Sequence, residues 1–142
     1  MSNIRYTDSI SSEDYLMLRK AVGFKELSVR QVETALRNNA FLIVAKDGDK
    51  TVGMTRLVAD GAYIAIIVDV MVLPEYQGNG IGRVMIEETI NCIKGGIAVG
   101  EQAAVFLVAA KDKEGFYEKF RLIRRPDEIY GAGMSQWISK QA

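Results

Sequence analysis

The chain has no histidine and a single cysteine, Cys92, among 142 residues. Without imidazole, every histidine-based catalytic triad and the usual zinc clusters are excluded, and one thiol cannot close an intramolecular disulfide. No apolar run approaches the ~20 residues that span a bilayer. The opening MSNIRYTDSI also lacks a basic segment followed by an apolar core, so a cytoplasmic protein with no membrane partner is expected. An excess of one charge is missing too: 18 basic residues cancel 18 acidic ones, which argues against a nucleic-acid partner. What remains is an ordinary globular composition, 49% apolar and 25% charged, at a length that fits one domain over residues 1–142.

Local patterns place the elements. Ile4 to Tyr6 reads as a short strand. Ser11 with Asp14, and Ser28 with Gln31, have the spacing of helix N-caps, ahead of the stripes Tyr15, Leu18, Val22 and Val29, Val32, Ala35, Leu36. Ala40 to Ala45, Thr51 to Ala59 and Ala62 to Leu73 are rich in β-branched residues and punctuated by Asp47-Gly48 and Asp60-Gly61, which predicts an antiparallel meander. The run YIAIIVDVMVL, almost uninterrupted in its hydrophobicity, reads as a central strand covered on both faces and ended by Pro74. Ile81, Met85, Ile86, Thr89, Ile90 and Ile93 then recur at helical spacing up to Gly95-Gly96. Val105 to Ala109 reads as a strand parallel to the one before Pro74, Asp112 opens a short helix EGFYEKF, and Met134 to Ile138 reads as a last strand.

Glycines at 78, 80 and 82 lie between a strand and a helix. A helix start offers unpaired N–H groups and the positive end of its dipole, and glycine removes the side chains that would hold an anion away. The loop therefore reads as a phosphate cradle. It is not a Walker loop, because Gly82 is followed by Arg83-Val84 instead of Lys-Ser/Thr, and it lacks the third glycine of the dinucleotide fingerprint, since position 83 is arginine.

The segment Gln77-Gly78-Asn79-Gly80-Ile81-Gly82, directly after DVMVLPEY and with Phe116-Tyr117-Glu118-Lys119-Phe120 further on, resembles the acyl-CoA-binding motif of the GNAT superfamily of N-acyltransferases. The resemblance covers essentially the whole chain. It implies an α+β fold with a mixed, mostly antiparallel sheet of six to seven strands, splayed between the fourth and fifth and flanked by about four helices. It further implies transfer of the acetyl group from acetyl-CoA to a primary amine of a small molecule or peptide, by direct attack in a ternary complex and without a metal. A homodimer is common among such proteins. An acyl-CoA-binding sensor or scaffold without turnover is the alternative.

By the same resemblance, Gln77, Gly78, Asn79, Gly80, Ile81, Gly82 and Arg83 would hold the pyrophosphate, the backbone of Met71 and Val72 would pair with the pantetheine arm, and Phe116 would contact the coenzyme. Tyr117 is the expected catalytic partner of the departing thiolate. Asp69, the only charged side chain between Tyr63 and Leu73, is a second catalytic candidate: it could accept the ammonium proton or orient the amine, or else make structural hydrogen bonds near the strand's end. Phe24, Tyr130 and Met134 are expected to line the acceptor site. Cys92, on an amphipathic helix far from any base, reads as a packed small hydrophobe and not as an acyl carrier. Two positions depart from the usual pattern. Arg121 stands where a glycine commonly ends the helix, and Ala110 stands where an asparagine commonly bonds the pantetheine arm.

Overall fold

The computed structural model describes residues 3–141. The chain forms two compact units, the first ending at Leu107 and the second starting at Val108.

The first unit is built on a five-stranded sheet, β1 (Ile4–Thr7), β2 (Phe41–Asp47), β3 (Lys50–Ala59), β4 (Ile64–Val72) and β5 (Ala104–Phe106), arranged in sequence order. Pairing is antiparallel from β1 to β4, and β5 joins β4 in parallel, as the crossover length predicts. Helices α1 (Ser12–Val22) and α2 (Val29–Leu36) follow β1, and α3 (Ile81–Gly95) forms the crossover from β4 to β5. Both early helices start where the capping signals stand. Ser11 accepts the Asp14 N–H, and Ser28 with Gln31 forms a complete capping box. Gly23 ends α1 in left-handed backbone at φ 79.

Two adjacent residues of β3 show how the helices are distributed. Thr55 Oγ1 lies 3.9 Å from Met85 Sδ of α3, whereas Arg56 reaches the carbonyl of Ala35 in α2. Successive strand residues point to opposite faces, so α3 covers one face of the sheet and α1 with α2 the other. The core joins Tyr15 and Leu18 of α1, Val32 of α2, Val44, Val52, Met54 and Met71 of the strands, and Ile81 and Met85 of α3. Burial at this scale supplies about 25 cal/mol per Å² of apolar surface. The expectation that β4 is covered on both faces holds only in part: Ile67 and Met71 are buried, but Ile66 is 39% exposed.

The second unit contains one short helix, α4 (Glu114–Glu118), which starts at the first residue of the expected EGFYEKF helix and ends two residues sooner. Asp112 itself takes a left-handed φ of 68, a turn conformation in place of a cap. Residues 131–141 adopt no strand, so the expected strand at Met134 to Ile138 is not formed. The described sheet accordingly has five strands instead of six or seven, while the α+β class, the mixed sheet and the four α-helices are as expected. A strand exists only through its partner's hydrogen bonds, and periodicity alone does not supply that partner.

Candidate active site

Between β4 and α3 the chain passes Pro74–Tyr76, a 3₁₀ turn, and then Gln77 to Gly80. Gly78 and Gly80 adopt φ values of 80 and 83, which side-chain-bearing residues rarely take. A Cβ at Gly78 would meet nothing within 4 Å, and one at Gly80 only the Arg83 guanidinium at 3.8 Å, so the loop's outer surface is open. Its frame is fixed from behind. Asn79 Nδ2 donates to the carbonyls of Tyr76 (3.2 Å) and Gln77 (3.0 Å), Gln77 Nε2 donates to the Val72 carbonyl at 2.9 Å, and the Tyr76 hydroxyl donates to Asp47 at 2.6 Å. Among the described residues, the N–H groups of Gly78 to Arg83 find no acceptor; the first helical one paired is Val84, to Gly80 O at 3.1 Å. These amides open a 15-residue helix whose dipole favours an anion at this end. Arg83 pairs with Glu87 at 3.1 Å on the surface, a contact of about 0.3–0.5 kcal/mol that a phosphate could displace.

Upstream of this loop β4 loses its parallel neighbour. The ladder to β5 ends at Ile66 and Phe106, while the ladder to β3 continues to Val72. Leu73 N–H donates to Val52 O at 2.8 Å, so alternation turns the amide and carbonyl of Val72 to the open edge and those of Met71 toward β3. Consistent with this, a Cβ built on Gly53 of β3 would lie 2.8 Å from the Met71 carbonyl. Val72 thus presents backbone to the open edge, and Met71 contributes a buried side chain.

Asp69 sits in a β-bulge: Arg56 pairs with Val68 and Met54 with Met71, leaving Asp69 and Val70 opposite Thr55. Its φ is 54. One carboxylate oxygen accepts from Arg19 Nη1 at 2.8 Å, and the other from Arg56 Nε at 2.9 Å and from the Tyr15 hydroxyl. Arg19 also donates Nε and Nη2 to the Lys25 carbonyl at 2.9 and 2.6 Å, and Arg56 continues to Asn39 Oδ1 and the Ala35 carbonyl. Burial, followed by the bond to Asp69, pushes the Tyr15 hydroxyl up to about 12. Tyr15, Arg19 and Arg56 escape a reading by motif. The available signal was that a lone carboxylate in an apolar strand needs partners, and that Arg19 lies one helical turn from Tyr15 on the buried stripe.

In the second unit, Tyr117 is buried on α4 and burial pushes its hydroxyl up to about 12. Phe116 stands edge-on to Tyr117 and to Phe120, with ring centroids 5.1 and 5.3 Å apart. Arg121 adopts the left-handed turn that a glycine would make easily, at φ 69, and its N–H bonds to the Glu118 carbonyl at 3.0 Å. Tyr130 lies under the Arg125 guanidinium at 4.1 Å, and Met134 is 96% exposed. Back in the first unit, Phe24 is half-buried beneath the Arg19 guanidinium, and Cys92 is half-buried on α3. Among the described residues no cluster of three or more His, Cys, Asp or Glu side chains could hold a metal, and no helix is long and apolar enough to cross a membrane.

A strand that parts from its parallel neighbour and runs into an open glycine loop at a helix start is the arrangement that the sequence resemblance implies. Residues 38–120 match the family model of the GNAT acetyltransferase domain, and the chain belongs to that family of acyltransferases. It is 33% identical to the uncharacterized N-acetyltransferase ycf52 of Pyropia yezoensis over 78% of this chain and 64% of that protein, so it spans less than two thirds of the relative's length. It is 30% identical to GCN5-related N-acetyltransferase 1, chloroplastic, of Arabidopsis thaliana, over 89% of this chain and 64% of that one. Among solved structures, Staphylococcus aureus SA2161, described as a probable acetyltransferase, superposes with a TM-score of 0.87 at 30% identity, covering 96% of this chain and 100% of that one.

Proposed function

We propose that this protein transfers the acetyl group of acetyl-CoA to a primary amine of a small molecule or peptide, by direct attack in a ternary complex. The observation that carries the reading is the run of unpaired amides from Gly78 to Arg83, set at a helix start behind two left-handed glycines. That surface suits a diphosphate: the donors are pre-aimed, no Cβ intrudes, and Arg83 is within reach of a second negative group. The open edge of β4 at Val72 suits a peptide-like arm, with Gln77 able to exchange its hold on the Val72 carbonyl for a ligand. When bound, acetyl-CoA would supply the activated acyl group.

Tyr117 is our candidate for the group that meets the leaving sulfur. A hydroxyl pushed up to about 12 stays protonated throughout the neutral range, well above a simple thiol at about 8.5. Donation of a hydrogen bond is therefore favoured over full proton transfer. Tyr117→Phe should lower kcat about tenfold or more while leaving coenzyme A affinity within about twofold in calorimetry. Phe24, Tyr130 and Met134 stay our candidates for the acceptor side, and Cys92 has no role in this scheme.

The coenzyme-binding sensor without turnover drew support from Arg121 and Ala110. Since Arg121 takes the left-handed turn regardless, only Ala110 still favours it. Thiol release from acetyl-CoA across a panel of primary amines, polyamines, amino sugars and peptides decides the matter. Release with at least one amine supports transfer; binding of coenzyme A with release from none makes the protein a sensor.

A further inference from the structure

Asp69 combines three features that a surface-facing proton acceptor would not need. It is a left-handed non-glycine residue within a strand, it is nearly enclosed, with a side chain 11% exposed, and each of its oxygens faces a guanidinium. Its partners arrive from separate elements: Tyr15 and Arg19 from α1, Arg56 from β3. Through Arg19 the bond network extends to the Lys25 carbonyl in the α1–α2 connection, and through Arg56 to Asn39 and the end of α2. The cluster carries two cations for one anion, and removing the anion would leave both cations nearly buried without a counterion.

Position matters as much as bonding. The bulge falls three residues after the β5 ladder ends at Ile66 and two residues before Met71 rejoins the β3 ladder. A bulge bends and twists its strand, so its geometry sets the direction in which Val70–Val72 leaves the line of β5. Left-handed backbone at a side-chain-bearing residue is strained and persists only where the surroundings hold it. The surroundings here are the two arginines and the tyrosine.

We propose that Asp69 is a positioning residue: gripped by Arg19, Arg56 and Tyr15, it holds the β4 bulge that aims the Val70–Val72 edge at the acyl donor, and it does not take up the acceptor's proton. The ligand half of this claim rests on the proposed function; the structural half does not.

The test uses the full chain with coenzyme A as probe and Arg56→Lys as the main variant. Lysine keeps the charge but loses the fork that spans Asp69 and Asn39. Asp69→Asn is the companion, since asparagine tolerates left-handed backbone. Of three readouts, two are expected to move and the third to stay. Amide hydrogen exchange at Met71 and Leu73 of the ligand-free protein, whose N–H groups face β3, should quicken by about tenfold relative to the core of α3. Coenzyme A affinity should fall by about tenfold. The acid limb of the kcat/KM profile, measured with an amine selected by thiol release, should keep its wild-type position in both variants. Unchanged exchange at Met71 and Leu73 in Arg56→Lys overturns the proposal, and so does an Asp69→Asn variant that binds coenzyme A as wild type but loses the acid limb. If wild type binds no coenzyme A, the proposed function fails alone, and the exchange rates in the ligand-free protein still decide whether the clamp holds the bulge.

Discussion

Two stretches of left-handed backbone flank the end of β4, and they are secured in opposite ways. Asp69, at φ 54, is a residue that resists this conformation and is held by three donors from two other elements. Gly78 and Gly80, at φ 80 and 83, accept it without strain and leave the amides from Gly78 to Arg83 unpaired. Strain at the bulge is thus maintained by tertiary bonds, whereas the loop is shaped by residue type and keeps its donors for something else. The difference assigns different failures to the two places: substitution at the first should cost folding before binding, and at the second binding before folding.

The largest effect is expected at the bulge. Asp69→Ala removes the carboxylate, leaves Arg19 and Arg56 uncompensated and keeps a Cβ in left-handed backbone, so unfolding in urea should show a loss of about 3–5 kcal/mol. Replacing Arg56 by Met in the same chain should recover part of it, because one stranded charge is then gone. A loss under about 1 kcal/mol would mean that the cluster is solvated and that the contrast with the glycine loop is false.

At the loop the order reverses. Gly80→Glu places a carboxylate where an anion is proposed to sit, and should weaken coenzyme A binding by more than about 100-fold, near 2.7 kcal/mol, with far-ultraviolet circular dichroism close to wild type. Its folding cost should stay near the 1–2 kcal/mol of a side chain at positive φ. Equal affinity in calorimetry would remove the cradle.

This asymmetry also explains how far the sequence could be read. The glycine loop was legible because its backbone demand is written in residue type at fixed spacing, and Gly78 and Gly80 took the left-handed angles such a motif requires. The meander, the capped helices and the parallel crossover followed from equally local signals. Asp69 stood out as a lone charge, but its partners lie 54 and 50 residues away in Tyr15 and Arg19, and no local pattern joins them. The bulge itself was invisible, since β4 reads as continuous apolar strand through residue 73 and a register shift leaves no mark in periodicity. Met134 to Ile138 failed for the complementary reason: strand-like composition was present, and no ladder formed.

The Tyr15 end of the clamp can be sharpened by pH. Its hydroxyl is pushed up from 10.0 to about 12 in the folded protein, first by burial and then by Asp69. Below about pH 10 both folded and unfolded states keep the proton and the contribution is complete; as pH rises toward about 12 the unfolded state releases it first, and stability falls. Tyr15→Phe should therefore show a shallower decline in unfolding free energy over that window than wild type, once the common loss from lysine deprotonation is subtracted. An unchanged slope would place Tyr15 outside the clamp's electrostatics.

Another left-handed residue, Arg121, supplies the missing combination. Arg121, at φ 69, lacks glycine's freedom, and among the described residues its side chain makes no hydrogen bond or ion pair of the kind that secures Asp69; its backbone N–H bonds to the Glu118 carbonyl at 3.0 Å. Strain that no side-chain bond holds should be recoverable. Arg121→Gly is expected to raise stability by about 1 kcal/mol, less whatever the added glycine freedom gives to the unfolded chain. Thermal melting of the two full-length proteins measures it. A gain here beside a loss at Asp69→Gly would show that what separates the two sites is the fastening and not the angle. A loss at both would mean that Arg121 has a grip of its own on the turn after α4.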